Sequence, residues 1–458
     1  MIKKIVSIIL CLTVVIAGAV FLPASVNAAD VKGNNDYTIE NPYKGVVWSG
    51  KGAWESYKAS LHSHTNASDG VPSIAESIEK HYELGFDILA ISDHAVLGAK
   101  WTEIPDTVPI YRFFKFGNTG MKNLEVLTEE RYSEIINGVG RNGRGMLEVT
   151  GAVEANGATP INDCHVNAFF ADYGQALMGV YGDYETVVRR VEKQGGITFL
   201  DHVGEYVGCE DDPERAKEDY YSNKLANIFL DYPSCIGMDV NSGVNNRTRY
   251  DHILWDEVLQ KTIPHGRNVF CLTFSDGHVI DQYDRAFTYM LMPEFTVDAL
   301  RTSMETGAFF CAARYARATL GEDFEGTGNT PTVTKLNVDN STDTISFKAK
   351  DFDCVRWYSD GELIAEGKSL TSLDLNDYED KIGCYVRFTL TGNGGILYSQ
   401  AFPVASPDVE IEKPLIVPTI DVSDGLRFLA DTANLLLGWT PPMLLIRWLL
   451  WGRVWWLY

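Results

Sequence analysis

The feature that most constrains this chain is a set of nine metal-type side chains in short motifs spread over its first 280 residues. The chain has nine histidines, and six of them fall within these motifs. Neutral imidazoles and carboxylates are natural ligands of divalent transition metals, and nine exceed what one ion binds. The pattern therefore predicts two or three ions that share bridging carboxylates. The predicted ligands are His62, His64, Asp69, His94, Glu154, His165, His202, Asp276 and His278.

Several of these side chains come at the ends of predicted strands. The runs FDILAISDH, GGITFLDH and NVFCLTFSDGH are typical of buried strands. Amphipathic segments such as IAESIEKHYELG precede two of the strands and end at glycine. Alternating strands and helices predict a parallel sheet or a barrel, and β/α barrels collect active-site residues at the C-terminal ends of their strands. The residues placed there are His94, His202, Asp276 and His278.

The motifs HSHTNASDG, SDHA, GAVEAN, FLDH and SDGH occur in an ordered set that resembles the PHP (polymerase and histidinol phosphatase) family of metal-dependent phosphoesterases. The resemblance covers roughly residues 55–315 and implies an α/β fold with a distorted (β/α)7 barrel. It divides the ligands into three groups: His62, His64 and Asp276 on one metal; Glu154 as the bridge to a second, with His165 and His202; and Asp69, His94 and His278 on a third.

The same resemblance implies hydrolysis of a phosphomonoester or a small phosphodiester by attack of metal-bound hydroxide. Asp276 and His202 are the predicted catalytic residues, Asp201 is a candidate for orienting a ligand, and Mn, Zn or Fe are the expected metals. Two other classes stay open: a metallohydrolase of an amide or lactone, and a non-catalytic metal-binding envelope protein. Four arginines are weaker candidates for phosphate contact, namely Arg247, Arg249, Arg314 and Arg317.

The N-terminus predicts export. Residues 1–28 combine a basic MIKK, an apolar core and small residues before a cleavage point after Ala28, as in a signal peptide. An uncleaved membrane anchor is the alternative. The formal net charge of −23 argues against general nucleic-acid binding through a basic surface. A small phosphorylated substrate remains compatible with this charge, because bound metals supply a local positive charge.

The composition predicts further segments after the barrel, which we assign to residues 29–325. Residues 330–405 alternate apolar and polar residues with frequent turns, which predicts a small, Ig-like β-sandwich. Whether Cys354 and Cys384 pair within it is left open by the sequence. Residues 96–150 are long for a connection, and they form either a lid over the metals or an elaboration on the outside of the barrel.

A proline-punctuated linker at 406–425 leads to an apolar, Trp-rich tail at 426–458. Half of the ten tryptophans lie in the last 20 residues. Pro441, Pro442, Arg447 and Arg453 interrupt the tail, so no apolar run is long enough for a membrane span. Trp, Tyr and Arg favour the bilayer interface, which predicts shallow membrane contact. Docking on the protein itself or on a second subunit is the alternative.

Overall fold

The computed structural model describes residues 37–97, 100–108, 124–156, 164–171, 184–243, 246–406, 413–419 and 422–451, all within one compact unit. The fold is mixed α/β. The strands of its first part are β1 (Thr38–Ile39), β2 (Glu55–Ser60), β3 (Ile88–Ala90), β4 (Val96–Leu97), β5 (Asp106–Thr107), β6 (Leu147–Val149), β7 (Val153–Asn156), β8 (His165–Phe169), β9 (Ile197–Asp201), β10 (Cys235–Ser242), β11 (Phe270–Phe274), β12 (Ala286–Met292) and β13 (Phe309–Ala313).

Helices alternate with many of these strands and cover the sheets. The first helix shows why they form: Ser73 and Glu76 make a reciprocal capping box at its start, and Ile74, Ile78 and Tyr82 are buried on one side. The helices are α1 (Ile74–Glu83), α2 (Glu129–Ile136), α3 (Tyr184–Glu192), α4 (Val203–Val207), α5 (Pro213–Ala216), α6 (Asp219–Asp231), α7 (Asp251–Thr262), α8 (Val297–Thr306) and α9 (Arg317–Leu320), with 3-10 turns at Ile263–His265 and Ile280–Gln282.

The sheets are mixed, whereas the sequence pattern predicts parallel strands. Strands β2, β3 and β6 are parallel to one another, as are β9, β10 and β11. Strand β8, however, runs antiparallel to both β7 and β9, and β12 runs antiparallel to β2 and β13. The connection from β7 to β8 is too short for the crossover that a parallel pair needs, so these strands form an antiparallel pair.

The two principal sheets contact each other along both edges of the smaller one. The smaller sheet has the order β11-β10-β9-β8-β7. On the β7 side, the Glu154 amide donates to the Ser92 carbonyl at 2.8 Å. On the β11 side, the Thr273 hydroxyl donates to the Phe287 carbonyl at 2.8 Å, and the His64 amide donates to the Gly277 carbonyl at 3.0 Å. These contacts bring the ends of strands from both sheets to a common region.

The C-terminal part is rich in antiparallel strands that share a core with the start of the chain. Its apolar side chains include Phe347 from one sheet and Trp357 and Phe388 from the other. Strand β1 pairs with β21 (Phe402–Ala405). Strand β20 (Gly395–Tyr398) pairs with β13, so one sheet runs through both parts of the chain. The Ig-like assignment stays a prediction. The elements are β14 (Thr332–Asp339), β15 (Thr344–Lys350), β16 (Cys354–Ser359), β17 (Glu362–Gly367), β18 (Ser372–Asp374), a 3-10 segment (Leu375–Lys381), β19 (Tyr385–Gly392), β20 (Gly395–Tyr398) and β21 (Phe402–Ala405).

The strand register answers the open question about the cysteines. Cys354 lies opposite Thr391 in the β16–β19 pair, whereas Cys384 precedes the first residue of β19. At about 3.3 Å per residue these positions are roughly 20 Å apart along the strand, so a disulfide cannot join them. Both thiols are free.

Two further segments bear on the predictions. In the 96–150 segment, Trp101, Leu127 and Ile135 are buried in a cluster with the apolar face of α1, which places these described parts against the body of the fold. Residues 109–123, which the lid hypothesis concerns most, lie outside the described residues. The tail forms α10 (Val422–Leu437) and α11 (Pro441–Trp451), and among the described helices none is long and apolar enough to cross a membrane.

Candidate metal centre

The structure gathers all nine predicted ligands into one connected cluster near the ends of strands β2, β3, β9 and β11. His62 and His64 lie just past β2, and His202 directly follows β9. Glu154 lies within β7, and His165 is the first residue of the antiparallel β8, where it pairs with Asp201 at the end of β9. The reversed direction of β8 thus brings the start of that strand, rather than its end, to the cluster.

His62 and His64 form the innermost part of the cluster. Their Nε2 atoms are 3.1 Å apart, and both side chains are fully buried. Glu154 Oε2 lies 3.2 Å from His62 Nε2 and 2.9 Å from His64 Nε2. Asp276 Oδ1 lies 3.4 and 3.3 Å from the same two nitrogens. These four side chains offer ligand atoms close enough together for one cation.

Glu154 occupies the centre and directs its two oxygens toward different histidines. Its Oε2 also faces His94 Nε2 at 3.2 Å. Its Oε1 lies 2.7 Å from His165 Nδ1 and 3.1 Å from His202 Nε2. A carboxylate with separate sets of imidazoles around each oxygen has the arrangement of a bridging ligand between two ions.

Asp69 and His278 form the outer, partly exposed side of the cluster. Asp69 Oδ2 lies 3.5 Å from His278 Nε2 and 3.8 Å from His94 Nε2. The Asp69 side chain is 47% exposed and that of His278 is 33% exposed, whereas those of His62 and His64 are fully buried. The cluster is therefore open to solvent on the Asp69 and His278 side.

Several histidines direct the ring nitrogen that faces away from the cluster to an outer partner. His94 Nδ1 lies 3.0 Å from the Glu154 carbonyl, and His278 Nδ1 lies 3.0 Å from the Asp276 carbonyl. His202 Nδ1 lies 3.2 Å from Glu205 Oε2. Outer partners of this kind fix the tautomer and orientation of a metal-binding imidazole.

His62 is supported by a carboxylate on the floor of the site. Asp201 is the sequence neighbour of His202, yet its Oδ1 lies 3.5 Å from His62 Nδ1. The Asn167 amide donates to the same oxygen at 3.0 Å. The sequence marks Asp201 as an orienting candidate by its position beside His202, and the fold places it against His62.

The support of His64 was not predicted from the sequence. Its Nδ1 lies 3.3 Å from the Ser68 hydroxyl, which donates a short hydrogen bond to Asp93. Thr65 binds the other oxygen of Asp93 through its hydroxyl. An available signal was the Asp-His pair at 93–94, which repeats at 201–202. In both pairs the carboxylate lies behind a different histidine of the cluster.

Three residues of the site adopt left-handed backbone conformations. The φ angles are 26° at His202, 47° at Asp276 and 57° at Ala95, which follows His94. Asp tolerates such angles better than most L-residues do. For His and Ala, a left-handed conformation costs about 1–3 kcal/mol per residue. The surrounding fold holds these turns in place and aims the adjacent ligands inward.

The electrostatics of the cluster fit a set of cation ligands. Burial lowers the pKa of His62, but Glu154, Asp201 and Asp276 outweigh it and raise the pKa to about 10. Burial lowers the pKa of His94 to about 4, with Glu154 opposing. Asp276 Oδ1 is buried without a well-aligned hydrogen-bond donor among the described residues, although three imidazole nitrogens lie near it, those of His62, His64 and His278. The buried clusters of His, Asp and Glu thus indicate divalent metal binding.

Of the four arginine candidates, Arg247 lies nearest to the cluster. Its Nη1 is 3.3 Å from Glu205 Oε2, the carboxylate behind His202, and its side chain is half exposed. The other three are held elsewhere: Arg249 and Arg317 by Glu322, and Arg314 by Asp284.

No protein-family model matches the chain, and no curated protein matches it. Among solved structures, it is similar to a two-domain protein from Bacteroides vulgatus named as containing a predicted PHP-like metal-dependent phosphoesterase. The identity is 14%, the alignment covers 77% of this chain and 96% of the other, and the TM-score is 0.38.

Two other solved structures are similar over 48% of this chain and 87% of their own. One is an amidohydrolase from Chromobacterium violaceum with bound sulfate, at 14% identity and a TM-score of 0.28. The other is a metal-dependent phosphoesterase from Bifidobacterium adolescentis, named as putative, at 13% identity and a TM-score of 0.26. At such low identities and TM-scores, these similarities carry no argument about function, which must be inferred from the side chains of the site. Two of these similar structures are named as phosphoesterases, one of them as PHP-like.

Proposed function

We propose that the chain is an exported metal-dependent phosphoesterase that hydrolyses a phosphomonoester or a small phosphodiester at a di- or trinuclear site of Mn, Zn or Fe. A distorted (β/α)7 barrel would carry this site, since the two sheets contact each other at both edges of the smaller one. The observation that carries the proposal is Glu154, whose two oxygens face separate sets of imidazoles.

The resemblance implies a division of the ligands around Glu154, although the ligand atoms close enough for one ion also group His94 with Glu154 and His165, and His64 with Asp69 and His94. His62, His64 and Asp276 would hold one ion, and His165 and His202 would hold the second. Asp69, His94 and His278 would hold a third at the open side. Bound divalent ions would supply a water nucleophile active near neutral pH and would neutralise charge on phosphate oxygens.

The protein's own residues would orient the reacting groups. Asp276 would hold the first ion with His62 and His64, and its carboxylate can accept a hydrogen bond that orients the attacking water. His202 is held by Glu205 at its outer nitrogen, which fixes the ring nitrogen that faces Glu154. Arg247, half exposed beside Glu205, can turn to a phosphate oxygen.

Charge favours an anionic substrate. The predicted ligands include three carboxylates and six neutral imidazoles. Two or three divalent ions therefore leave this ligand set with a net positive charge, which suits a phosphate better than a neutral amide or lactone.

The test is a substrate screen on metal-loaded protein. The chain from Ala29 onward, purified and loaded with Mn or Zn, is assayed against phosphomonoesters, small phosphodiesters, amides and lactones, with metal content measured in parallel. We expect turnover of phosphoesters at a stoichiometry of two or three ions. Cleavage of amides or lactones alone would contradict the phosphoesterase, and a metal content persistently below one per chain would contradict the cluster.

A further inference from the structure

Helices α10 and α11 present apolar side chains to solvent. Among the residues of 422–449 whose side chains the structure describes, every exposed one is apolar, glycine or proline. This exposure is unusual, because a surface helix normally directs its apolar stripe to the core. Eight large side chains are more than half exposed: Val422, Phe428, Leu429, Leu435, Leu436, Leu437, Trp439 and Leu445.

The charged side chains of the same helices point toward the protein. Arg427 forms an ion pair of 2.7 Å with Glu185 of α3. Asp431 forms one of 3.1 Å with Arg189 of the same helix. These contacts dock α10 on α3 by its polar side and leave the apolar side outward. None of the four charged residues of the two helices is exposed: Asp424, Arg427, Asp431 and Arg447.

We propose that this outward face lies in the surface of a lipid bilayer. A protein partner would be recognised by hydrogen bonds and a polar rim around an apolar centre, and among its described side chains this face exposes none that is charged or polar. The boundary between headgroups and acyl chains accepts apolar side chains without directional partners, and tryptophan is enriched there.

The dimensions of the helices favour a position in the plane of the membrane. Helix α10 has 16 residues, which is about 24 Å of helix, less than the hydrocarbon core of about 30 Å. Pro441 and Pro442 open α11 and separate it from α10. Docking on α3 further holds α10 against the protein surface, so contact with lipid is limited to the outward face.

The arrangement of charge makes this binding distinct from electrostatic adsorption. The described cations of the two helices, Arg427 and Arg447, are not exposed, and the chain as a whole carries a formal net charge of −23. We therefore expect binding to neutral phosphatidylcholine vesicles, weaker binding when anionic lipid is added, and little change in about 0.5 M salt, where the Debye length falls to a few ångströms.

The experiment is co-sedimentation of the chain from Ala29 onward with phosphatidylcholine vesicles. The tail variant is Phe428→Ser/Leu436→Ser/Trp439→Ser. The control variant removes three apolar side chains exposed elsewhere, Ile104→Ser/Val139→Ser/Leu363→Ser. Thermal unfolding monitors the fold of each protein.

Wild type and control are expected to bind vesicles alike, and the tail variant at least about tenfold more weakly, because it loses three large apolar contacts. Absence of wild-type binding, or equal binding by the tail variant, would overturn the proposal. A chain that is dimeric by light scattering, becomes monomeric in the tail variant and does not sediment with vesicles would assign the face to a second copy instead. None of these outcomes depends on the metal site.

Discussion

The ligand cluster and the C-terminal helices differ in opposite ways from an ordinary globular protein. The cluster buries imidazoles and carboxylates, including the fully buried His62 and His64. The helices expose large apolar side chains such as Leu435, which is 81% exposed. Burial of polar groups and exposure of apolar ones both cost free energy unless something else contacts them. Each region therefore indicates a missing partner, and the chemistry of the partner is opposite in the two cases.

A third region shows what buried charge looks like when the protein itself supplies the partner. Arg387 donates to both carboxylate oxygens of Asp256, and Tyr385 donates to the same carboxylate at 2.6 Å. The guanidinium also lies over the rings of Trp255 and Tyr358. This network joins α7 to β19 and has its charges paired, whereas Asp276 Oδ1 in the cluster has no well-aligned donor among the described residues.

Removal of ligands from the cluster should give the largest effect, a loss of catalytic activity. His62→Ala and Asp276→Asn should each lower kcat/KM of the metal-loaded protein by about 10³-fold, because a side chain that binds the metal directly supports several kcal/mol of transition-state stabilisation. Steady-state kinetics with metal analysis is the measurement. His265→Ala is the matched control, since that exposed ring lies outside the cluster and contacts the Pro414 carbonyl. Near wild-type turnover in both ligand variants would show that the site is elsewhere.

The paired network gives the next largest effect, on stability instead of activity. Arg387→Ala leaves the Asp256 carboxylate buried without its guanidinium, and we expect a loss of about 3–5 kcal/mol in the free energy of unfolding. Urea denaturation with and without added metal measures it. The loss should be the same in both conditions, because the network is internal; restoration by metal would contradict the distinction drawn between the two regions.

Within the cluster, Asp201 is expected to affect metal affinity. Asp201→Asn keeps the shape but removes the negative charge behind His62 Nδ1, so we expect metal affinity to fall about 10–100-fold with little change in stability. Isothermal titration with metal measures the affinity. Ser133→Ala, at an exposed position on α2, is the control and should leave metal affinity unchanged. An unchanged affinity in Asp201→Asn would limit Asp201 to packing.

The last prediction concerns pH. In the metal-free protein His62 has a raised pKa of about 10, so it carries a proton at pH 7 that a bound metal must displace. Affinity should therefore rise about tenfold per pH unit between pH 7 and 9 for each proton released. His94, with a pKa of about 4, is already neutral there and adds no such dependence. Titrations in buffers of different ionisation enthalpy count the protons, and an affinity independent of pH would contradict this.

The sequence by itself identified the nine side chains that meet, because a metal site requires particular residue types and the sequence states residue types directly. The same is true of the Trp-rich tail, whose composition is apolar whatever its conformation. The direction of the strands was not readable to the same degree. The strands read from the sequence, β3, β9 and β11, have parallel neighbours, whereas the antiparallel β8 and β12 were not anticipated, since pairing depends on which strands become neighbours in space.

Only the tertiary structure decided which groups support the ligands and which face of the tail is outward. Asp201 lies beside His202 in sequence but acts on His62, and Asp93 lies behind His64 and not behind its neighbour His94. Residues at successive positions point in different directions, so adjacency in the chain does not give adjacency of side chains. The outward face of α10 depends likewise on the ion pairs from Glu185 and Arg189 of a distant helix. Ligand identity is a local chemical property, whereas orientation and exposure are set by contacts between segments far apart in sequence.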